Sequence, residues 1–250
     1  MTTGIRTQSL FAVRVHNAPY EQLLAAALAA AREPNPSFTA YSHFNVLLDA
    51  RQKPWLHSQL NRAALNISDG IAVRLAFRAT GAKSPANVNA TDFHHALLMQ
   101  SLQNGSRIFL LGGSAEAAEI LQTMFRDRYP DCVVQTHHGQ IDVADPALVK
   151  TLRTFAPDIL FLGLGSPKQF EWIEQNLAEV GCPLTVATGN FLEFLAGTHA
   201  RAPRWMQAAG FEWLHRLLHE PARLWRRYIF GIPRFAFLII AERVTRRIGG

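Results

Sequence analysis

The chain has 250 residues, 48% hydrophobic and 18% charged, which is enough for one substantial core and too apolar for a disordered chain. Two cysteines, Cys132 and Cys182, stand far apart with no Cys or His at ligand spacing, which argues against a disulfide framework or a zinc site and suits a reducing cytoplasm. The net charge of +6 is unevenly placed: from His199 to Gly250 ten Arg stand against three Glu, so this tail carries +7 and the first 198 residues −1.

The opening residues, Met1 to Val15, lack the apolar run and cleavage site of a signal peptide. The longest apolar stretch, Tyr228 to Ala241, is interrupted by Gly231, Pro233 and Arg234 and falls short of the roughly 20 apolar residues a bilayer span needs. In chain order, a strand is expected at Leu10–Val15, an Ala-rich helix at Glu21–Ala31, a strand at Phe38–Phe44, and a helix running on through Leu65. Ile67 and an Asp-Gly turn follow, then a helix through Arg78 and another over Thr91–Gln103, capped by Thr91 or Asp92.

Downstream the rhythm is clearer. Strands are expected at Arg107–Leu111, Cys132–Thr136, Asp158–Gly163 and Leu184–Ala187, with helices at Ser114–Arg128, Pro146–Phe155 and Lys168–Val180. Strands apolar on both faces that alternate with helices predict an α/β fold, a Rossmann-like, mostly parallel sheet flanked by helices. The alternation stops near Thr198, so residues 1–198 are expected to form the α/β domain and 199–250 a basic, Trp-rich helical appendage.

Ligands of such sheets bind at the carboxyl ends of the strands, and three of those ends are unusual. Gly112-Gly113-Ser114 between a strand and a helix offers free N–H groups and a dipole end suited to a diphosphate, or a plain tight turn. At Gly163-Leu164-Gly165-Ser166-Pro167-Lys168-Gln169, two glycines, a helix start and two polar side chains meet, a pattern that favours a ligand contact over an ordinary loop. The third glycine of the dinucleotide fingerprint is absent, its place taken by Lys168. Asp69, between a short strand and a helix, is either an N-cap or a carboxylate placed to take a proton from a substrate hydroxyl.

Several segments together resemble the WecG/TagA/CpsF glycosyltransferases: Ser68-Asp69-Gly70-Ile71, Ala90-Thr91-Asp92-Phe93, Phe109-Leu110-Leu111-Gly112-Gly113, Thr136-His137-His138-Gly139, Gly163 to Gln169, Phe194-Leu195-Ala196-Gly197, Arg201-Ala202-Pro203-Arg204-Trp205, and Glu212 to Arg223. They run in order from about residue 10 to about 230. The resemblance implies an inverting transferase that moves a hexosyl or N-acetylhexosaminyl unit from a UDP-sugar donor to a polyprenyl-diphosphate-linked sugar in bacterial surface-polysaccharide synthesis. It implies Asp69 as general base, Asn45 and Gln169 as substrate contacts, and Arg216 and Arg223 as tail residues that close over the diphosphates. His43, Thr91, Asp92, His138, Lys168 and Glu193 fall in the same motifs. This chain departs from the family pattern at His43 (commonly Thr), Asn87 (often Arg), the segment Asn89-Ala90-Thr91-Asp92 (Gly-x-Asp or Gly-Thr-Asp in the family) and Glu193 (usually Asp), where sugar recognition is expected.

No Asp-x-Asp pair occurs, and adjacent His137 and His138 alternate in direction on extended backbone, so no metal or other cofactor is expected. Helix N-termini and arginines would then neutralise the departing UDP. Trp205, Trp213 and Trp225 among the tail arginines suit an anionic membrane surface better than nucleic acid, giving a cytoplasmic protein held peripherally on the inner face of the membrane. An exposed apolar tail would also favour homo-oligomers. Two rival readings are a dinucleotide-dependent oxidoreductase, which lacks its glycine fingerprint here, and a non-catalytic membrane-surface module, which would not need Asp69.

Overall fold

A computed structural model describes residues 4–85 and 88–248. The chain opens with an antiparallel hairpin, β1 (Thr7–Leu10) and β2 (Val13–His16), in place of the single strand expected over Leu10–Val15. Its turn is Phe11-Ala12, both left-handed at φ 53° and 60°. Such turns usually take Asn-Gly, so the sequence carries no turn signal. What holds the turn is tertiary: Phe11 is 5% exposed, and its ring meets Phe235 edge-on at 5.8 Å. Burying a Phe contributes about 1.5–3 kcal/mol, comparable with the roughly 1–2 kcal/mol that each left-handed residue costs.

Then come α1 (Tyr20–Ala30), β3 (Ser37–Ser42), α2 (Phe44–Gln52), α3 (Pro54–Arg62), β4 (Leu65–Ser68), α4 (Ile71–Ala79) and α5 (Ala90–Gln103). The helix expected to run through Leu65 is two helices and the start of a strand. Pro54 cannot continue α2 and forces Lys53 into an extended conformation at φ −120° and ψ 94°. Phe44 opens α2 instead of ending β3, because His43 caps the helix through Nδ1. The cap of α5 is Asn89, not Thr91 or Asp92.

The second half follows the expected alternation: β5 (Ile108–Gly112), α6 (Ala115–Arg128), β6 (Val134–His137), α7 (Pro146–Phe155), β7 (Ile159–Gly163), α8 (Lys168–Val180), β8 (Leu184–Ala187) and α9 (Phe191–Ala196). β6 starts two residues later than expected and so includes His137, leaving Cys132 outside it. Four helices close the described chain, α10 (Arg204–Ala208), α11 (Glu212–His219), α12 (Pro221–Ile229) and α13 (Gly231–Ile248).

Among the described residues eight strands form one sheet in the order β1-β2-β4-β3-β8-β7-β5-β6, parallel except for β1. Alternate strand residues feed opposite cores. Phe109 and Leu111 of β5 join one core with α2, α3, α4, α7 and α8, while Ile108 and Leu110 join the other with α1, α5, α6 and α9. The closing helices are stitched into the first core through Leu224, Tyr228, Phe235 and Ile239, and α13 packs on α2 and α4. This is the Rossmann-like, mostly parallel sheet flanked by helices. β7 leads into α8 on one face and β5 into α6 on the other, so their carboxyl ends flank a topological switch point; β3 and β8 form a second.

Candidate active site

Every strand-end residue singled out in the sequence lies along the carboxyl edge of the sheet. Asp69 stands at the tip of β4, its backbone N–H bonded to Ser42 O of β3 at 3.0 Å. The carboxylate is partly buried. Burial raises its pKa above the ordinary carboxylate value, and Glu212 adds to the rise; Arg216 and the N–H groups of Ala90 and Gly70 pull the other way. A carboxylate whose proton affinity is raised by burial and trimmed by an arginine suits a general base better than a plain cap.

Arginines from the closing helices lie over these tips. Arg216 of α11 rests on Phe194, with Cζ 5.1 Å from the ring centroid, and its buried Nε has no hydrogen-bond partner among the described residues. Arg227 of α12 brings Nη2 within 3.1 and 3.3 Å of the two ring nitrogens of His43, and its Cζ lies 5.9 Å from the Phe44 ring. Burial, then Arg227, then Arg216 hold the His43 imidazole well below its usual pKa, so it is neutral. Arg223 lies on α12, but its side chain is outside the described residues, as is Asn87.

The glycine-rich turns pack backbone to backbone. A Cβ on Gly112 would lie 2.6 Å from Gly163 Cα, one on Gly139 3.0 Å from Gly112 Cα, and one on Gly163 3.0 Å from Gly189 O. The tips of β6, β5, β7 and β8 thus form one continuous floor in which side chains do not fit. Gly165 is open, with nothing among the described residues within 4 Å of where a Cβ would be.

Several expected substrate contacts are engaged within the protein. The N-terminus of α6, read as a diphosphate site, holds Glu193: its Oε1 accepts from Ser114 N at 2.7 Å, and Oε2 takes the Thr198 hydroxyl and lies 3.5 Å from His199 Nδ1. Burial raises the Glu193 pKa, but the bonds from Thr198 and Ser114 and the nearby His199 outweigh it, so the carboxyl sits below its usual value. Lys168 Nζ donates to Ile141 O at 2.6 Å, and Gln169 Oε1 accepts from Gly189 N at 3.2 Å, so both brace neighbouring loops. Asn45 Nδ2 donates to Asp49 Oδ2 at 3.5 Å. Asp92 pairs with Arg201 at 2.6 Å, and Thr91 lies in the first turn of α5 with its N–H on Asn89.

Other polar groups at the tips are buried without a hydrogen-bond partner among the described residues: Ser68 Oγ, Ser166 Oγ, Thr188 Oγ1 and His138 Nδ1. Buried polar groups are nearly always paired, so these four have hydrogen-bonding capacity to offer a polar ligand at this edge. Among the described residues no group of three or more His, Cys, Asp or Glu could hold a metal ion.

The family model for the WecG/TagA/CpsF glycosyl transferases matches residues 8–249. The chain belongs to this family. The glycosyltransferase is also 31% identical over 180 residues to an N-acetylglucosaminyldiphosphoundecaprenol N-acetyl-beta-D-mannosaminyltransferase of Staphylococcus aureus strain MW2. The aligned part covers 72% of this chain and 70% of that protein, with the same figures for the proteins of strains NCTC 8325 / PS 47 and MRSA252. Sequence reasoning marked the Asn89 segment only as a departure from the family pattern and missed that Asn89 bonds Arg201 and Glu212, which ties the transferase's α5 to its closing helices. Arg201 and Glu212 stood in quoted motifs, but pairing across more than 100 residues leaves no local signal.

Proposed function

We propose that this glycosyltransferase moves an N-acetylhexosaminyl unit of the N-acetylmannosamine type, or a related hexosyl unit, from a UDP-sugar to a polyprenyl-diphosphate-linked sugar, with inversion, in bacterial surface-polysaccharide synthesis. The observation that carries the reading is Asp69, a carboxylate of raised pKa at a strand tip with Arg216 beside it. The acceptor hydroxyl attacks the anomeric carbon and gives its proton to Asp69. The bond from that carbon to the UDP oxygen breaks, and the electron pair leaves with the diphosphate. Arg216 and Arg227 meet the developing charge. The names of the staphylococcal relatives support both the lipid-linked acceptor and the transferred sugar.

The absence of any Asp-x-Asp pair from the sequence, together with two arginines over the tips, supports transfer without a metal or other cofactor. A panel of UDP-sugars scored for UDP release with a polyprenyl-diphosphate-N-acetylglucosamine acceptor tests donor and metal together. Release is expected with an N-acetylmannosamine donor and unchanged by EDTA; abolition by EDTA, with recovery on adding a divalent ion, would sink the metal-free reading.

The tail is proposed to rest on the anionic inner face of the membrane. On α13, Phe237, Ile240 and Val244 are 70%, 64% and 50% exposed, opposite buried Phe235 and Ile239, and Arg234 and Arg243 are exposed on the same helix. Among the described residues no helix is long and apolar enough to cross a membrane. Deleting residues 200–250 would also strip Leu224, Tyr228, Phe235 and Ile239 from the core, so surface variants are the cleaner probe. Phe237→Ser with Ile240→Ser should weaken binding to phosphatidylglycerol vesicles by about tenfold or more at unchanged melting temperature. Unaltered vesicle binding would contradict membrane docking through α13.

A further inference from the structure

Asn89 takes no obvious part in sugar chemistry, yet it joins three elements around Asp69. Its Oδ1 caps α5, accepting from Thr91 N at 2.9 Å and Asp92 N at 3.3 Å. The same oxygen accepts from Arg201 Nη2 at 3.1 Å, while Arg201 Nη1 pairs with Asp92. At its other end, Asn89 Nδ2 donates to Glu212 Oε2 at 3.1 Å.

These contacts converge on the proposed base. Ala90, the first residue of α5, turns its N–H toward the Asp69 carboxylate. Glu212 is the first residue of α11, and Arg216 follows one turn later on the same face. One amide therefore sits between the helix that supplies Asp69 with a backbone donor and the helix that supplies it with an arginine. Both ends of the amide are used at once. Serine would cap α5 about as well as Asn but is too short to hold Glu212 too.

We propose that Asn89 is a positioning residue that docks α11 so that Arg216 stands against Asp69, with Arg201 as its brace. The proposal rests on the reading of Asp69 as general base. Its logic is geometric: an arginine displaced by about 1 Å from developing charge loses much of its effect, on the order of a hundredfold in rate. A purely structural role for Asn89 would act independently of Arg216.

The test uses the full-length protein as Asn89→Ser, Arg216→Ala and the double variant, with kcat/KM and amide hydrogen exchange as readouts. Asn89→Ser should lower kcat/KM by about 10- to 100-fold. The double variant should be no worse than Arg216→Ala, because both changes remove one interaction. Amides of residues 212–219 should lose protection in Asn89→Ser while those of α5 keep theirs. Multiplying losses, or unchanged protection of α11, would overturn the proposal. Exchange needs no substrate, so it judges the docking separately from the chemistry; full transfer by Asp69→Asn would overturn the base reading alone.

Discussion

Replacing Asp69 with Asn should lower kcat by about 1,000-fold, within the 10²–10⁴ range typical of a positioned general base. Stability should hold or rise. The folded-state pKa of Asp69 is raised, so its ionised form at neutral pH is less favourable in the folded protein than in the unfolded chain, and a neutral amide removes that cost. The pH profile gives a second check. Transfer should fall on the acid side as Asp69 takes up a proton, with a midpoint above the ordinary carboxylate value. Glu212 adds to the rise and Arg216 opposes it, while the Asp69 charge in turn raises the pKa of Tyr41. Arg216→Ala removes the group that lowers the Asp69 pKa, so its acid limb should move to higher pH. A limb that moves down or stays in place would place the titrating group elsewhere.

The second large effect belongs to Gly112→Ala. Gly112 has φ 151°, and an added Cβ would sit 2.6 Å from both Cα and O of Gly163. The colliding atoms are backbone of the neighbouring strand β7, so no side chain can swing aside. The substitution should cost about 3 kcal/mol or more, lowering Tm by roughly 6–12 °C for a chain of this size. Gly165→Ala is the control: its φ is +73° but nothing lies within 4 Å, so only the backbone cost of about 1–2 kcal/mol applies. Equal Tm losses for the two would show that the close approach of the strand tips does not govern stability.

Much of this architecture could be read from local pattern. α7 and α8 span the residues expected, from Pro146 and from Lys168, and α6 ends at Arg128 as expected, with Ser114 as its cap and not its first residue. In each case the deciding forces lie within a few residues. The hairpin at Phe11-Ala12 was illegible because its turn is held by Phe235, more than 200 residues away. The same holds for the candidate site. Asp69 and the glycine turns were visible as strand ends, but that Gly112 packs on Gly163 is a property of strand order. That Glu193 fills the N-terminus of α6 depends on how α9 returns beside it. The approach of Arg227 to His43 spans 184 residues, and composition showed only that the tail is basic. Family resemblance bridged part of the gap by marking Arg216, though not the bond from the Asn89 amide to Glu212 at the start of its helix.

The central claim joins a chemical event to a residue: a sugar arrives on the lipid-linked acceptor because Asp69 removes the acceptor's proton. Mass spectrometry of polyprenyl-diphosphate-N-acetylglucosamine after incubation with UDP-N-acetylmannosamine tests it most directly, with wild-type protein and Asp69→Asn side by side. The predicted result is a gain of one N-acetylhexosamine on the lipid with the wild type and almost none with the variant. Equal gain with both proteins, or UDP released while the lipid keeps its mass, would contradict it.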